Sequence, residues 1–317
     1  MSELHVRHAT TYRYAARVDV AYHLMHLTPR ADAFQRVDAF ELTIDPVPAE
    51  RGTSMDSFGN ARTFCALATP HEALEVVATS RIALAPRYAD LEPERSPRWE
   101  EVQSMLRYTA GMPFTPAGEF AFASPFVPVL AELRDYARVS FAPGRPWIVA
   151  ALDLMQRVHE DFDYDPNATD IATPLAQAFR QRRGVCQDFA HVMIGALRAL
   201  GLPAAYVSGY LLTRPPPGQP RLLGADASHA WVCVWCPVLG WVDLDPTNNV
   251  VADATHVQLA IGRDYGDVMP LRGVIRGGGA HTLRVAVSVV PAEEIEGSRK
   301  GLATNNTEKI GSSPMRD

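Results

Sequence analysis

Four stretches in the first 85 residues carry partial apolar–polar alternation with many β-formers: residues 4–14, 40–46, 61–69 and 75–84. Alternation with a period of two puts one face of a strand on a core and the other in water. Gly59-Asn60 falls between two apolar runs, where it reads as a hairpin turn. These features predict an antiparallel β-sandwich over residues 1–85. Nine prolines then interrupt residues 86–146. That density predicts an irregular linker, with helical spacing only around residues 129–141.

Beyond residue 146 the period changes. Residues 147–162 have helical spacing, and so do residues 173–200, with a break at Gly184. Gly201 and Pro203 supply a helix stop. Residues 204–212, 229–236 and 240–245 read as strands, the first two separated by a proline-rich polar loop at 214–228. Loops of that length are often functional. Residues 281–290 alternate as a closing strand, and the polar residues 296–317 read as a disordered tail. The expected division is therefore 1–85 β-rich domain, 86–146 linker, 147–295 core and 296–317 tail.

Composition narrows the class. The chain has 317 residues, 47 % hydrophobic and 21 % charged, ordinary for a folded protein with about two domains. Lys plus Arg is 30 against 36 Asp plus Glu, a net charge of −6. A mildly acidic chain argues against nucleic acid as a partner. The first 18 residues lack the apolar core of a signal peptide, and no apolar run is long enough to span a membrane. Four cysteines are too few for a disulfide scaffold, so a reduced, cytoplasmic chain is expected.

Candidate chemistry concentrates in two places. In RRGVCQDFAHVMIGALRALGLPA the apolar residues Phe189, Val192, Met193, Ala196, Leu197 and Leu200 recur at helical spacing, which puts Cys186 at or near a helix N-terminus. The dipole and free N–H groups there favour an anion and can lower a thiol pKa. Asp188, in the same first turn, would oppose thiolate formation. In DASHAWVCVWCPVLGWVDLDPTNN, His229 starts one strand and Asp245 ends the next. Adjacent antiparallel strands bring those two ends together. A carboxylate there can orient the imidazole, and the imidazolium can hold a thiolate. Other groupings are weaker. Cys233 and Cys236 form a CxxC, but strand alternation sends them to opposite faces, so neither a metal nor a redox site is expected. The histidines at 5, 8, 23, 26 and 71 lack acidic or Cys ligands at matching spacing. His191 is about 140° around the helix from Cys186 by the ~3.6-residue turn. Asp163 and Asp165 flank Tyr164 in a turn, a weak calcium signal. No metal or cofactor is expected.

GVCQDFAH, SHAW and GWVDLDPTN together resemble the transglutaminase-like superfamily of papain-related folds. The upstream FDYDPNATDIATPLAQAFRQRRGVC is similar to its bacterial branch, and HATTYRY, LTPR, DSFGN and PHEALEV resemble that branch's N-terminal region. GRDYGDVMPLRGVIRGGGAH also looks family-like. The resemblance covers about residues 3–290. It implies an α+β fold: a papain-like core, with the nucleophile's helix packed on an antiparallel sheet, and an N-terminal β-sandwich. It implies Cys186 as nucleophile, His229 as base and acid, and Asp245 as orienting carboxylate, chosen over Asp243 for its place before Pro246-Thr247.

The implied chemistry is acyl transfer at an amide through a thioester. One oxyanion donor would be a backbone N–H near Cys186. For the second donor and the substrate wall, Gln181, Tyr164 and Trp231 are candidates. The expected substrate is a peptide or amide, with hydrolysis ahead of amine transfer because water needs no second site. Family association adds ATP-grasp-type and alpha-E proteins as partners, and with them the making or trimming of an amide-linked product. A scaffold role without catalysis is the alternative of another class.

Overall fold

The computed structural model describes residues 1–107, 109–111, 113, 115–213 and 228–294. The expected tail at 296–317 and nearly all of the loop at 214–228 lie outside the described residues.

The first sheet is built on one strand. β1 (Ser2–Met25) runs through the whole N-terminal region. β2 (Gln35–Asp45), β3 (Glu50–Met55), β4 (Ala61–Leu67) and β5 (His71–Leu84) follow. The hydrogen-bonded order is β2-β5-β1-β4-β3. β5 pairs with the first half of β1, whereas β4 pairs with its last residues, 21–25. The register shifts between Arg13 and Val18, where the strand changes partners. Both halves contribute to one buried cluster, with Leu4 and Val6 from the first half and Ala21 and Met25 from the second. The expected sandwich thus forms as one bent sheet.

The linker carries α1 (Trp99–Leu106) and α2 (Ala131–Arg138), with short 3-10 turns at Pro93–Arg95 and Pro116–Ala121. The core begins with α3 (Trp147–Asp161), then β6 (Asp163–Tyr164), α4 (Leu175–Gln181), β7 (Arg183–Gly184) and α5 (Cys186–Ala199). β8 (Ala204–Leu211), β9 (Ser228–Cys236), β10 (Gly240–Asp245), β11 (Val250–Val251) and β12 (His256–Gly262) form a second antiparallel sheet in the order β11-β10-β9-β8-β12. One face, carrying Ala230, Val232, Val234 and Val242, packs on the apolar residues of α5. The other carries Ala205, Val207, Trp231 and Cys233. Cys233 and Cys236 therefore fall in different clusters on opposite faces, both as free thiols.

α6 (Tyr265–Val268) leads to β13 (Leu271–Gly277) and β14 (His281–Pro291). Both pair antiparallel with β1, not with the second sheet. The range 147–295 therefore does not close on itself; its last two strands complete the N-terminal sheet. That sheet also touches the core directly, since Tyr210, Val257 and Leu259 join its buried cluster. No described helix is long and apolar enough to cross a membrane.

Candidate active site

Cys186 is the first residue of α5, after an extended Val185. The approach is fixed by the two-residue parallel pairing of β6 with β7, Tyr164 opposite Gly184. A Cβ on Gly184 would sit 2.7 Å from Asp188 Cγ and 2.8 Å from its Cβ, so only glycine allows the carboxylate to lie against the backbone here. Asp188 Oδ2 accepts from Val185 N at 2.8 Å and from Thr169 Oγ1 at 2.6 Å. The carboxylate caps its own helix, as the acidic member of a capping box does. Burial pushes its pKa up. Cys186 alone of the four cysteines is not buried. The N–H groups of Cys186 and Gln187 lie in the first turn, where no carbonyl four residues back accepts them.

His229 is the second residue of β9 and Asp245 the last of β10, one place from the strand start expected for His229 and at the strand end expected for Asp245. His229 Nε2 is 2.7 Å from Asp245 Oδ2. Asp245 is fully buried, yet its oxygens are saturated. Oδ2 also meets His256 Nε2 at 3.1 Å and accepts from Asn248 Nδ2 at 2.6 Å; Oδ1 accepts from the backbone N–H of Thr247 at 2.9 Å and of Asn248 at 3.2 Å. Burial alone would raise the carboxyl pKa. The bonds from His229 and His256, with the His229 charge, override it and hold the acid far below the usual carboxylate range. Burial likewise pulls His229 down, but Asp245 and the Cys186 sulfur outweigh it and lift the imidazole to about 10. With Nε2 on the carboxylate, Nδ1 is the nitrogen left for the thiol. The arrangement favours imidazolium beside the Asp245 carboxylate.

His256 was not expected from the sequence. β12 does not neighbour β10, yet His256 reaches Asp245 and Gln258 Nε2 donates to Asp243 in a short contact. The sheet curls enough for side chains of β10 and β12, with β9 and β8 between them, to meet. Gly209 of β8 lies beneath the curl, where a Cβ would run into Val257 O and come within 2.8 Å of Trp231 Cζ3. Asp243 is thus occupied by Gln258, and Asp245 is the carboxylate bonded to His229.

The remaining candidates separate. Trp231 is fully buried, with its ring 6.0 Å from His229 and 5.2 Å from His256, so it backs the histidines and presents no surface to a substrate. This corrects its expected place on the substrate wall. Tyr164 is 58 % exposed. Its phenol is pushed up by partial burial and then by the Cys186 charge, and it pairs opposite Gly184, two residues before Cys186. Gln181 is exposed at the end of α4, and no bond among the described residues joins it to Cys186 or His229. His191 accepts from Tyr265 N at 3.2 Å on the buried side of α5, away from the thiol. Tyr206, buried in the cluster that Cys186 packs against, is a residue that its apolar strand context concealed. His8, His23, His26 and His71 are buried in the first sheet, and His8 bonds Tyr210 and Thr10. His229, Asp245 and His256 place three possible metal-ligand atoms within 4.8 Å of one another, but here those atoms bond each other.

The family model for the bacterial transglutaminase-like N-terminal region matches residues 4–83, and the model for the transglutaminase-like superfamily matches residues 139–246, which hold all three residues of the cluster. The chain belongs to the transglutaminase-like superfamily. An uncharacterized protein of Mycobacterium tuberculosis is 41 % identical over 296 residues, covering 91 % of this chain and 92 % of its own length. A protein-glutamine gamma-glutamyltransferase of Pseudomonas aeruginosa is 36 % identical over 130 residues, 40 % of this chain but 19 % of that protein. A crystal structure of a candidate cysteine protease from Cytophaga hutchinsonii superposes with a TM-score of 0.70 at 18 % identity, covering 92 % and 91 % of the two chains. The transglutaminase-like fold therefore spans both sheets.

Proposed function

We propose that this transglutaminase-like protein is a cysteine enzyme that transfers an acyl group from an amide through a Cys186 thioester, with water as the usual acceptor. The observation that carries the reading is the 2.7 Å bond from His229 to a saturated, buried Asp245, with the Cys186 sulfur on the same imidazole. Asp245 holds the ring and stabilises its charge. The Cys186 thiolate attacks the amide carbon. The carbonyl electrons move to oxygen, facing the first-turn N–H groups of α5. Collapse of this intermediate breaks the C–N bond, and His229 gives its proton to the departing amine. His229, now neutral, takes a proton from water as water attacks the thioester; the carboxylic acid leaves and the thiolate–imidazolium pair returns. Tyr164, opposite Gly184 and largely exposed, is the side chain best placed to touch the substrate.

Amine transfer is the second reading, supported by the segment similar to the Pseudomonas glutamyltransferase. The test is acid quenching of the protein with a panel of peptide amides and peptide p-nitroanilides, followed by mass analysis of the Cys186 peptide. An acyl adduct on Cys186, lost in Cys186→Ala, is the expected result. Added methylamine then separates the acceptors, since incorporation into the product marks amine transfer. No adduct and no turnover across the panel, with wild type and Cys186→Ala indistinguishable, would leave a non-catalytic protein.

A further inference from the structure

A cavity of about 500 Å³ opens on the face of the second sheet away from α5. That volume lies within the range of small-molecule sites. Cys233 and Asp243 on its wall are four and two residues along their strands from His229 and Asp245, roughly 13 and 7 Å at ~3.3 Å per residue. The buried Trp231 lies between the cavity and the histidine.

Its wall joins three parts of the chain. The LTPR segment supplies Arg30, whose guanidinium bonds Phe58 O at 3.2 Å and Asn60 Oδ1 at 2.6 Å in the DSFGN segment. Asn60 in turn bonds Ile261 through both its side-chain atoms. Gln35 clamps Gln258 on both backbone groups, and Gln258 donates to Asp243 Oδ2. This buried polar chain ends on an open acceptor. Asp243 is 2 % exposed, and its Oδ1 has no hydrogen-bond partner. The adjacent Cys233 thiol offers only a weak donor.

The donors are also incompletely used. Arg87 places one nitrogen 2.8 Å from Asp32. Among the described residues no hydrogen bond uses the other side-chain nitrogens of Arg30 or Arg87, and both side chains line the cavity. The wall carries charges of both signs: Arg87 pairs with Asp32, Arg30 lies in the field of Asp32 and Asp243, and Glu119 adds a further negative charge. Between these poles the wall is aromatic, with Tyr88, Phe120, Trp235 and Trp241.

We propose that this cavity binds a zwitterionic α-amino acid or dipeptide with an apolar side chain. The ligand carboxylate would meet the guanidiniums, its ammonium the free oxygen of Asp243, and its side chain the aromatic wall. A positive and a negative pole on one wall select a ligand that carries both charges; a simple anion or cation leaves one pole unpaired. The site is independent of the thioester chemistry.

The test is calorimetric titration, checked by quenching of tryptophan fluorescence, with L-phenylalanine and L-leucyl-L-phenylalanine as probes. L-phenylalaninamide lacks the carboxylate and N-acetyl-L-phenylalanine lacks the ammonium. Saturable binding by the zwitterions, weakened at least about tenfold by either block, is expected, a loss of about 1.4 kcal/mol or more. Trp241→Ala and Arg87→Met should weaken it similarly with circular dichroism unchanged, and Cys186→Ala and His229→Ala should bind as wild type. Trp241 is 38 % exposed, so its loss leaves the fold standing. No saturation to about 10 mM, well beyond ordinary small-ligand affinities, equal binding of the blocked probes, or loss of binding only in His229→Ala would overturn the proposal.

Discussion

Replacing Asp245 by Asn tests how far one buried carboxylate sets the chemistry of Cys186. Asp245 accepts five hydrogen-bonding contacts, two of them from histidine nitrogens. Asparagine keeps the volume but has one acceptor oxygen and an NH2 group, so one cluster of donors must face another donor. The lost bond to imidazolium is charge-assisted, worth about 1.5–3 kcal/mol. At ~1.36 kcal/mol per pH unit this moves the imidazole down by about one to two units from about 10. The same energy leaves the thiolate–imidazolium pair on the order of ten- to a hundredfold less populated. The assay is the rate of iodoacetamide addition to Cys186 between pH 5 and 10; the other three cysteines are buried and report slowly. Wild type should react faster at pH 6 than His229→Ala does. Asp245→Asn should lose about ten- to a hundredfold at pH 6. His229→Ala should follow an ordinary thiol, with a midpoint near ~8.5. Superimposable profiles for wild type and Asp245→Asn would refute the assignment of Asp245 to the imidazole.

Stability should depend on pH from both sides, which thermal or urea melts across pH 4–10 can follow. His229 is raised to about 10, so its contribution is complete below ~6.5 and fades as pH rises through 10. His8 and His23 are held at about 4 and His191 at about 3, mainly by burial; their contribution is present above ~6.5 and is lost as pH falls through 4, on the order of 3 kcal/mol per pH unit near pH 5. His256→Leu removes one bond to Asp245 and should lower stability by about 1–3 kcal/mol, measured as the shift in urea midpoint. Gly184→Ala drives a methyl into Asp188 and should cost about 1–3 kcal/mol, with slower alkylation of Cys186 as the helix start shifts. Arg182 stacks over Tyr136, Phe162 and Phe179 at 4.2–4.8 Å, and Arg182→Ala should cost about 1–2 kcal/mol in the same assay.

Cys186, His229 and Asp245 were legible because each stands at the end of a regular element. A helix start, a strand start and a strand end are set by local periodicity, and antiparallel pairing then brings the last two together. His256 and Gln258 were not legible. Six of the seven residues of β12 are buried, so its sequence shows no alternation, and its two polar side chains find their carboxylates only through the curl of the sheet. The length of β1 was hidden because residues 15–19 break the alternation exactly where the strand changes partners. The pairing of β14 was hidden for another reason: alternation announces a strand but carries no information about which strand lies beside it. The role of LTPR and DSFGN emerged only with Arg30, Ser57 and Phe58 seen on a shared cavity wall, and with Arg30 bonded to the buried Asn60 behind it.

The return of β13 and β14 to β1 binds the order of synthesis to the order of folding. β1 leaves the ribosome before the strands it pairs with and can pair with β4 and β5 as they follow, but its other edge stays open along residues 4–14 until β14 arrives more than 250 residues later. At about 5–20 residues per second that edge waits on the order of tens of seconds. An open strand edge is a template for pairing with another chain. The nascent protein therefore carries its greatest risk of misassociation before its last strands exist, and truncation after residue 270 would make that interval permanent.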